Sequence, residues 1–214
     1  MKRLHIIGAG GLAKEIVGYI LGEKHKRYEI TGCWANEPFN NSAFNIFYRG
    51  SVDSFKKVFS DGDCVLIAIA NTITRRKVYE ELRNLNLVFE TYIHPSCEIS
   101  QFAIIGKGCI LLPHTILAGD PTLKDFIFMN TEVVIGHDVV IDNFCSLFPR
   151  VEICGDCVIE ANCVFGINAT VLPTVKVKKN SMVDAFSVLR QSFSDSALFV
   201  GNPAKPVRKY KTYS

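Results

Sequence analysis

A six-residue repeat constrains the second half of this chain more than any other feature. Stepping by six from Ile93 gives 17 apolar residues without a break. A helix cannot keep a period of six, and a hairpin sheet would alternate with a period of two. The repeat therefore predicts a parallel β-solenoid, in which three six-residue units close a triangular coil around an apolar core. The residues are Ile93, Ile99, Ile105, Leu111, Leu117, Leu123, Met129, Ile135, Ile141, Leu147, Ile153, Ile159, Phe165, Val171, Val177, Val183 and Leu189.

The position two residues before each of these apolar residues is filled mainly by small or β-branched side chains, as a tight corner of a coil requires. Five of the eight cysteines lie there. We therefore expect them to be buried, reduced thiols and not parts of disulfides. They are Cys97, Cys109, Cys145, Cys157 and Cys163.

The first part of the chain alternates strand and helix patterns. Strands are predicted at residues 4–8, 28–34, 63–70 and 87–92, and helices at 11–23 and 73–84. Because the strand at 63–70 is apolar without alternation, the pattern favours a small parallel sheet with crossover helices. We therefore divide the chain into an α/β half-Rossmann domain at 1–92 and an all-β solenoid domain at 93–214.

Composition excludes several classes of protein. Hydrophobic residues make up 48% and charged residues 21% of the chain, which is typical of a globular protein. A net charge of +3 is too small to indicate a nucleic-acid-binding protein. No segment has the pattern of a signal peptide, and no apolar run reaches the roughly 20 residues of a membrane span. We expect a cytoplasmic protein.

Five segments together carry a resemblance to a known family. They are IIGAGGLAKEI at 6–16, IAIANTITRRKVYEEL at 67–82, MNTEVVIGHDVVI at 129–141, FGINATVLP at 165–173 and FVGNPAKPV at 199–207. The chain resembles hexapeptide-repeat sugar acyltransferases, namely bacterial UDP-4-amino-sugar N-acetyltransferases and their sialic acid O-acetyltransferase relatives. The resemblance implies a left-handed β-helix, acetyl-CoA as co-substrate, a nucleotide-linked sugar as acceptor, and a homotrimer with sites between neighbouring prisms.

The resemblance also implies the catalytic residues. In the family, a histidine followed by an acidic residue comes after a short apolar run, with an asparagine seven residues earlier. Here these positions are His137, Asp138 and Asn130. A histidine has an unperturbed pKa of about 6.5, which suits a general base near neutral pH. Asp138 is expected to stabilise the imidazolium as it forms.

Five further residues are expected to contact acetyl-CoA. Gly155 follows His137 by one full coil of the repeat and so lies directly above it; it either offers an N–H to the thioester oxygen or serves only as a turn glycine. The resemblance places Ile167 and Ala185 beside the pantetheine arm and Ser146 at a CoA contact. Lys205 is expected near the CoA phosphates, the alternative being a closing turn.

The glycine-rich turn after the first strand is the expected sugar-nucleotide site, because glycines allow close approach of a phosphate to a helix N-terminus. The candidate substrate-binding residues are Gly8, Gly10, Gly11, Leu12, Ala35, Asn36, Ala70, Asn71 and Arg75, together with Asn130. Leu12, the pair Ala35–Asn36, and Ala70 stand where the amino-sugar enzymes tend to have a histidine, an acidic pair and a glycine. Asn71 and Arg75 have alternative interpretations as a helix cap and a solvated face.

Two rivals to N-acetylation remain open, and another is disfavoured. O-acetylation of a sugar such as sialic acid is an alternative to N-acetylation, and a non-catalytic sugar-nucleotide-binding protein is a third possibility. A nicotinamide-dependent oxidoreductase is disfavoured, since residues 32–36 at the end of the second strand include no acidic residue for the ribose of NAD and the first domain is too short for two mononucleotide units. A metal site is not expected, because Cys154 and Cys157 have no second pair and the histidines occupy different positions in the repeat.

Overall fold

The computed structural model describes residues 1–39 and 43–208. The chain divides into two compact units, Met1–Thr91 and Tyr92–Ser214, and each is described by itself.

The first unit is a five-stranded parallel sheet with the strand order β3-β2-β1-β4-β5. Its central strand β4 is largely buried, which explains its uninterrupted apolar sequence, and the last four residues of β1 are buried as well. On helix α1, Ala13, Ile16, Val17 and Ile20 are buried at helical spacing. The elements are β1 Lys2–Ile7, α1 Gly11–Gly22, β2 Tyr28–Trp34, a 3-10 helix Ala43–Phe47, β3 Tyr48–Gly50, α2 Val52–Phe55, β4 Cys64–Ile67, α3 Thr72–Leu82 and β5 Val88–Phe89.

Two details of this unit differ from the sequence prediction. Strand β4 ends at Ile67 and not at residue 70, because the next residues form a loop whose carbonyl oxygens bind a buried guanidinium from α3. Strand β3 and helix α2 were not predicted. Both are short, and short elements carry too little periodicity to be recognised in a sequence.

The second unit is a prism of three parallel sheets, in which each strand pairs with its equivalent in the next coil, as Ile116 does with Val134. One face contains β7 Glu98–Ile99, β10 Ile116–Leu117, β13 Val134–Ile135, β16 Glu152–Ile153, β19 Thr170–Val171 and β22 Val188–Leu189. The second contains β8 Ile104–Ile105, β11 Thr122–Leu123, β14 Val140–Ile141, β17 Val158–Ile159 and β20 Lys176–Val177. The third contains β6 Tyr92–Ile93, β9 Ile110–Leu111, β12 Phe128–Met129, β15 Ser146–Leu147, β18 Val164–Phe165, β21 Met182–Val183, β23 Leu198–Val200 and the antiparallel β24 Lys205–Arg208.

The predicted fold class is confirmed: an α/β half-Rossmann unit is followed by an all-β left-handed parallel β-helix. The six-step apolar residues form the interior of the prism, where Ile135, Ile153 and Val171 are fully buried. All eight cysteines are free thiols. Cys109, at a coil corner, is fully buried, and its thiol donates to the carbonyl of Lys124 across the corner.

The corners of the prism are built from residues with positive φ, stacked one coil above another. Non-glycine residues rarely adopt this conformation, and the stacked side chains offset its cost by contacting each other. Phe126 and Phe144 stack with ring centroids 5.1 Å apart. At another corner, Nε of Arg150 donates to Glu132 Oε2 at 2.6 Å.

Candidate active site

His137 lies at the prism corner between β13 and β14, and the same corner carries an aspartate in three successive coils. The pairs are Gly119–Asp120, His137–Asp138 and Gly155–Asp156, each one full coil from the next. Asp138 and Asp156 have positive φ angles of 56° and 60°. Because parallel coils stack in register, these six residues form one column along the edge of the prism.

The imidazole of His137 is hydrogen-bonded to the residue that follows it. The distance from Nδ1 to Asp138 Oδ2 is 2.7 Å. Because a carboxylate only accepts, Nδ1 carries the proton in neutral His137 and Nε2 carries the lone pair. The side chains of His137 and Asp138 are 64% and 56% exposed, so Nε2 is accessible to a reactant. This is the arrangement a general base requires.

Two glycines make room for this imidazole. A Cβ built on Gly155 would lie 2.5 Å from His137 Nε2, and one on Gly119 would lie 2.7 Å from His137 Cβ. Both distances are shorter than side-chain carbons tolerate. Gly155, in the coil above, therefore leaves room for the imidazole in its present rotamer, and Gly119, in the coil below, leaves room for the Cα and Cβ of His137. The main-chain N–H of Gly155 donates to no acceptor within 1–39 and 43–208, and Gly155 itself is buried beside the imidazole of His137.

Asp120 and Asp156 complete the electrostatics of the column. Asp120 Oδ1 accepts from the backbone N–H of Asp138 at 3.1 Å, which orients the residue that holds the imidazole. The pKa of His137 is raised above its ordinary value, chiefly by the hydrogen bond to Asp138 and further by the charges of Asp138, Asp156 and Asp120. The column thus favours a cation at Nε2.

His137, Asp138 and Asp156 also present ligand atoms within 4.8 Å of one another, close enough to hold a metal ion. All three are exposed, and exposed acidic groups commonly have this spacing without a metal. We assign no metal here.

The predicted residues of the prism occupy two different corners. Asn130, Ile167 and Ala185 lie at the corner between the third and first faces, whereas His137 and Gly155 lie at the corner between the first and second. One face of about six residues at ~3.3 Å each separates the two corners by roughly 15–20 Å. A single prism therefore does not bring these two groups together.

Some polar groups at the Asn130 corner already have hydrogen-bond partners within the prism. Asn130 Oδ1 accepts from the Thr131 N–H at 2.7 Å, and the Ala185 N–H donates to Asp184 Oδ1 at 2.9 Å. Ile167 is 44% exposed and offers apolar surface. This corner therefore suits an alkyl chain with few polar contacts.

Ser146 and Lys205 are differently placed. Ser146 lies on β15 and is fully buried in the described part of the chain. The predicted CoA contact of Ser146 would therefore require its neighbours to move. Lys205 begins the exposed strand β24, where its ammonium is open to solvent.

The glycine turn of the first unit borders a cavity of about 410 Å³, here called the glycine-turn cavity. It lies at the carboxyl ends of β1, β2 and β4, where open parallel sheets bind ligands. Of the ten predicted substrate-binding residues, seven line it: Gly8, Gly10, Gly11, Leu12, Ala35, Asn36 and Ala70. The other described lining residues are Ile7, Ala9, Trp34, Val52, Ala68, Ile69, Thr74 and Val78.

The polar character of this cavity comes from its backbone. None of the lining residues described in the structure has a charged side chain. Gly10 is the N-cap of α1 and supplies no side-chain cap, so the first N–H groups of that helix face outward. Such a helix end binds phosphate. Gly8 has a φ of +136°, and a Cβ there would lie 2.7 Å from the Ala68 carbonyl oxygen.

Asn71 and Arg75, predicted as substrate contacts, both make hydrogen bonds within the protein. Asn71 is the N-cap of α3, and its Oδ1 accepts from the Thr74 N–H at 2.9 Å. Arg75 is 1% exposed, so it is not on a solvated face. Its Nη1 donates to the carbonyl oxygens of Ile69 and Ala70 at 2.7 and 2.9 Å. Arg75 therefore holds the loop that carries the lining residues Ile69 and Ala70, whereas the exposed Asn71 caps α3.

Sequence reasoning missed three residues of the His137 column and one wall of the cavity. Gly119, Asp120 and Asp156 had a signal: the pattern Gly-Asp, His-Asp, Gly-Asp recurs once per coil of the repeat. For Trp34 the sequence signal was weaker: it is the single tryptophan of the chain and ends a predicted strand next to Ala35 and Asn36.

Residues 3–82 match the PglD N-terminal domain. The resemblance to hexapeptide-repeat sugar acyltransferases is confirmed by this match and by the relatives described next.

A curated relative is the GDP-perosamine N-acetyltransferase of Escherichia coli O157:H7, which is 23% identical over 154 residues. The alignment covers 71% of this chain and 60% of the relative, so the chain spans less than two thirds of that relative's length. The acetyltransferase domain of PglB from Neisseria gonorrhoeae FA1090 has a TM-score of 0.85 and 25% identity, covering 97% of this chain and 100% of that domain.

PerB from Caulobacter crescentus, in complex with CoA and GDP-perosamine, has a TM-score of 0.81 at 23% identity. The similarity covers 97% of this chain and 98% of that one, and it shows the fold. Within residues 1–39 and 43–208, no helix has the length and apolar character needed to cross a membrane.

Proposed function

We propose that this chain transfers the acetyl group of acetyl-CoA to the amino group of a nucleotide-linked amino sugar, with His137 as general base. The observation that carries the proposal is the 2.7 Å contact of His137 Nδ1 with Asp138, which leaves Nε2 unprotonated and accessible. The resemblance to sugar N-acetyltransferases supports the choice of substrates. The glycine-turn cavity, with its uncapped helix end, suits the phosphates of a sugar nucleotide.

The reaction is a direct transfer. The neutral amine attacks the carbonyl carbon of the thioester, and Nε2 of His137 accepts the proton that the nitrogen loses. The C–S bond then breaks, and that proton passes to the departing thiolate, so the products are an amide and CoA thiol. Asp138 stabilises the imidazolium between these steps, and the Gly155 N–H is the proposed donor to the oxyanion.

The acidic column supports an amine over the alternative acceptor. Asp120, Asp138 and Asp156 stack beside His137, so their field attracts an ammonium and repels an anion. Sialic acid carries a carboxylate, which the three aspartates of this column would repel. We therefore place N-acetylation above O-acetylation of sialic acid.

The test is to mix the protein with acetyl-CoA and a panel of acceptors and to follow the release of CoA thiol. The panel contains UDP-, GDP- and dTDP-linked 4-amino sugars, their 4-hydroxy counterparts, and sialic acid. Release with amino sugars alone is expected. Release with sialic acid would favour O-acetylation, and no release with any acceptor would favour a non-catalytic binding protein.

We also propose that the active form is a homotrimer. Ile167 and Ala185, the proposed pantetheine contacts, lie at a different corner from His137, so a second copy is needed to bring the two groups together. Exposed apolar side chains are found at both corners, for example Phe102 at one and Phe186 at the other. Light scattering should give three times 23.9 kDa. A monomeric mass with full activity would contradict the proposal.

We also place the reaction in the cytoplasm, where acetyl-CoA and reduced thiols are found.

The pH dependence of turnover tests the role of Asp138. Activity should rise as pH increases through the raised pKa of His137, because only the neutral imidazole accepts a proton. In Asp138→Asn the largest cause of that raised pKa is lost, so the acid limb should move to lower pH. The rate on the plateau should also fall. The loss should be smaller than the ~10²–10⁴-fold that general-base catalysis contributes as a whole. An acid limb that does not move would contradict this role. Glu160→Gln, at the corner between the second and third faces, is the matched control.

A further inference from the structure

The glycine-turn cavity has one aromatic wall, Trp34, and that wall is attached to a buried histidine. Trp34 ends β2 and is 7% exposed. Its indole Nε1 donates to Nδ1 of His5 at 3.2 Å. An indole N–H can only donate, so Nδ1 of His5 must be unprotonated. Neutral His5 is therefore held with its proton on Nε2.

The surroundings of His5 favour this neutral form. His5 is 5% exposed, and its ring packs against Phe55 and Trp34 with centroid distances of 5.1 and 6.1 Å. Nε2 lies 3.2 Å from Asp63 Oδ2, without the alignment of a hydrogen bond. Burial lowers the pKa of His5, the Asp63 carboxylate offsets this in part, and the charge of Arg3 lowers it further. The two ring neighbours do not titrate in this range.

Protonation would reverse the contact with Trp34. Imidazolium carries a hydrogen on both nitrogens, so Nδ1–H would face the indole N–H with no acceptor between them. Two buried donors pointing at each other are costly, and the charge is buried as well. The indole would then have to leave its position. Because Trp34 lines the cavity, the cavity would change shape with it.

We propose that His5 is the positioning residue of the glycine-turn cavity: its neutral form holds Trp34 as a wall, and protonation at Nδ1 releases that wall. The structural link between His5 and Trp34 stands independently of the reaction. Only the statement that the released wall weakens sugar-nucleotide binding rests on the proposed function. The affinity of the cavity for its ligand should then fall as pH falls. None of the described lining residues has a titratable side chain that could itself cause such a change.

The single tryptophan makes the first part directly measurable in the free protein. Emission of wild type, His5→Asn, His5→Leu and His25→Asn is followed from pH 8 to pH 5, with far-UV circular dichroism marking the range in which each stays folded. Asn at position 5 keeps an acceptor near the Nδ1 position but does not titrate. Leu removes the acceptor. His25 is an exposed histidine of the same unit and serves as the matched control.

Wild type and His25→Asn should show a red shift as pH falls, His5→Asn should show none, and His5→Leu should be shifted at every pH. If His5→Leu does not fold, the comparison of wild type with His5→Asn decides. Emission of folded wild type that is independent of pH, or a full wild-type response in His5→Asn, would overturn the proposal.

Calorimetry with UDP and GDP as probes tests the second part. Wild type should bind its preferred nucleotide about tenfold more weakly with protonated His5, the equivalent of one unpaired buried donor, and His5→Asn should not. Binding that is equal at both pH values, with the emission shift present, would show that Trp34 moves without affecting the ligand. Failure of both nucleotides to bind at any pH would count against the proposed function and leave the emission result standing.

Discussion

Replacing His137 with alanine is expected to remove most of the acetyl-transfer activity while leaving both substrates bound. The substitution removes Nε2, the proposed proton acceptor, and general-base help contributes about 10²–10⁴-fold to a rate. Stability should hardly change, because the side chain is 64% exposed and contacts no part of the apolar core. The measurement is steady-state kinetics with acetyl-CoA and the best amino sugar of the panel, with kcat and KM determined separately.

A control distinguishes the base from a general effect of losing a histidine. His25 is an exposed histidine of the first unit and lies outside the prism. His25→Ala should keep wild-type kcat. If His137→Ala retained full activity, the assignment of the general base would be lost, and with it the proposed mechanism.

The second large effect is expected from a single methyl group. In Gly155→Ala, the new Cβ would lie 2.5 Å from Nε2 and 2.6 Å from Cε1 of His137, so the imidazole must rotate away. The displaced atoms are the end of an exposed side chain, so the fold should accept the change. Activity should fall towards that of His137→Ala, because an imidazole in the wrong position cannot accept the proton.

The comparison for this variant is Gly18→Ala, at an exposed helical position where a Cβ meets nothing within 4 Å. That change should leave activity unaltered and raise stability slightly, since alanine favours the helix. Thermal unfolding and kcat are measured for both proteins. A Gly155→Ala enzyme with normal kcat would mean that the imidazole does not need its present orientation.

The solenoid was predictable because its signal is repeated. Each inward residue, from Ile93 to Leu189, supports the same six-residue frame, so single departures do not hide it. Strand β3 and helix α2 had no such repetition. Their stability comes from packing, as when Phe55 of α2 contacts Trp34 and His5, and no local pattern encodes such contacts.

The candidate site was predictable in part for the same reason. The period of the coil placed Gly155 above His137, and seven of the fifteen described lining residues of the cavity were predicted, three of them in the glycine turn and a fourth, Leu12, directly after it. The period did not reveal that Arg75 is buried, because a polar residue on a helix gives no sign of which carbonyl groups it will meet. Nor could it show that Trp34 is held by His5, since the two residues are far apart along the chain.

The stacking of corners has a consequence for how this prism can change in length. Adding or removing one residue would turn every later inward side chain towards solvent, and the core beyond that point would be lost. Adding or removing a complete turn preserves the inward frame, because each turn touches only the turns next to it. The segment 119–156 is the exception, since three consecutive turns there share one imidazole.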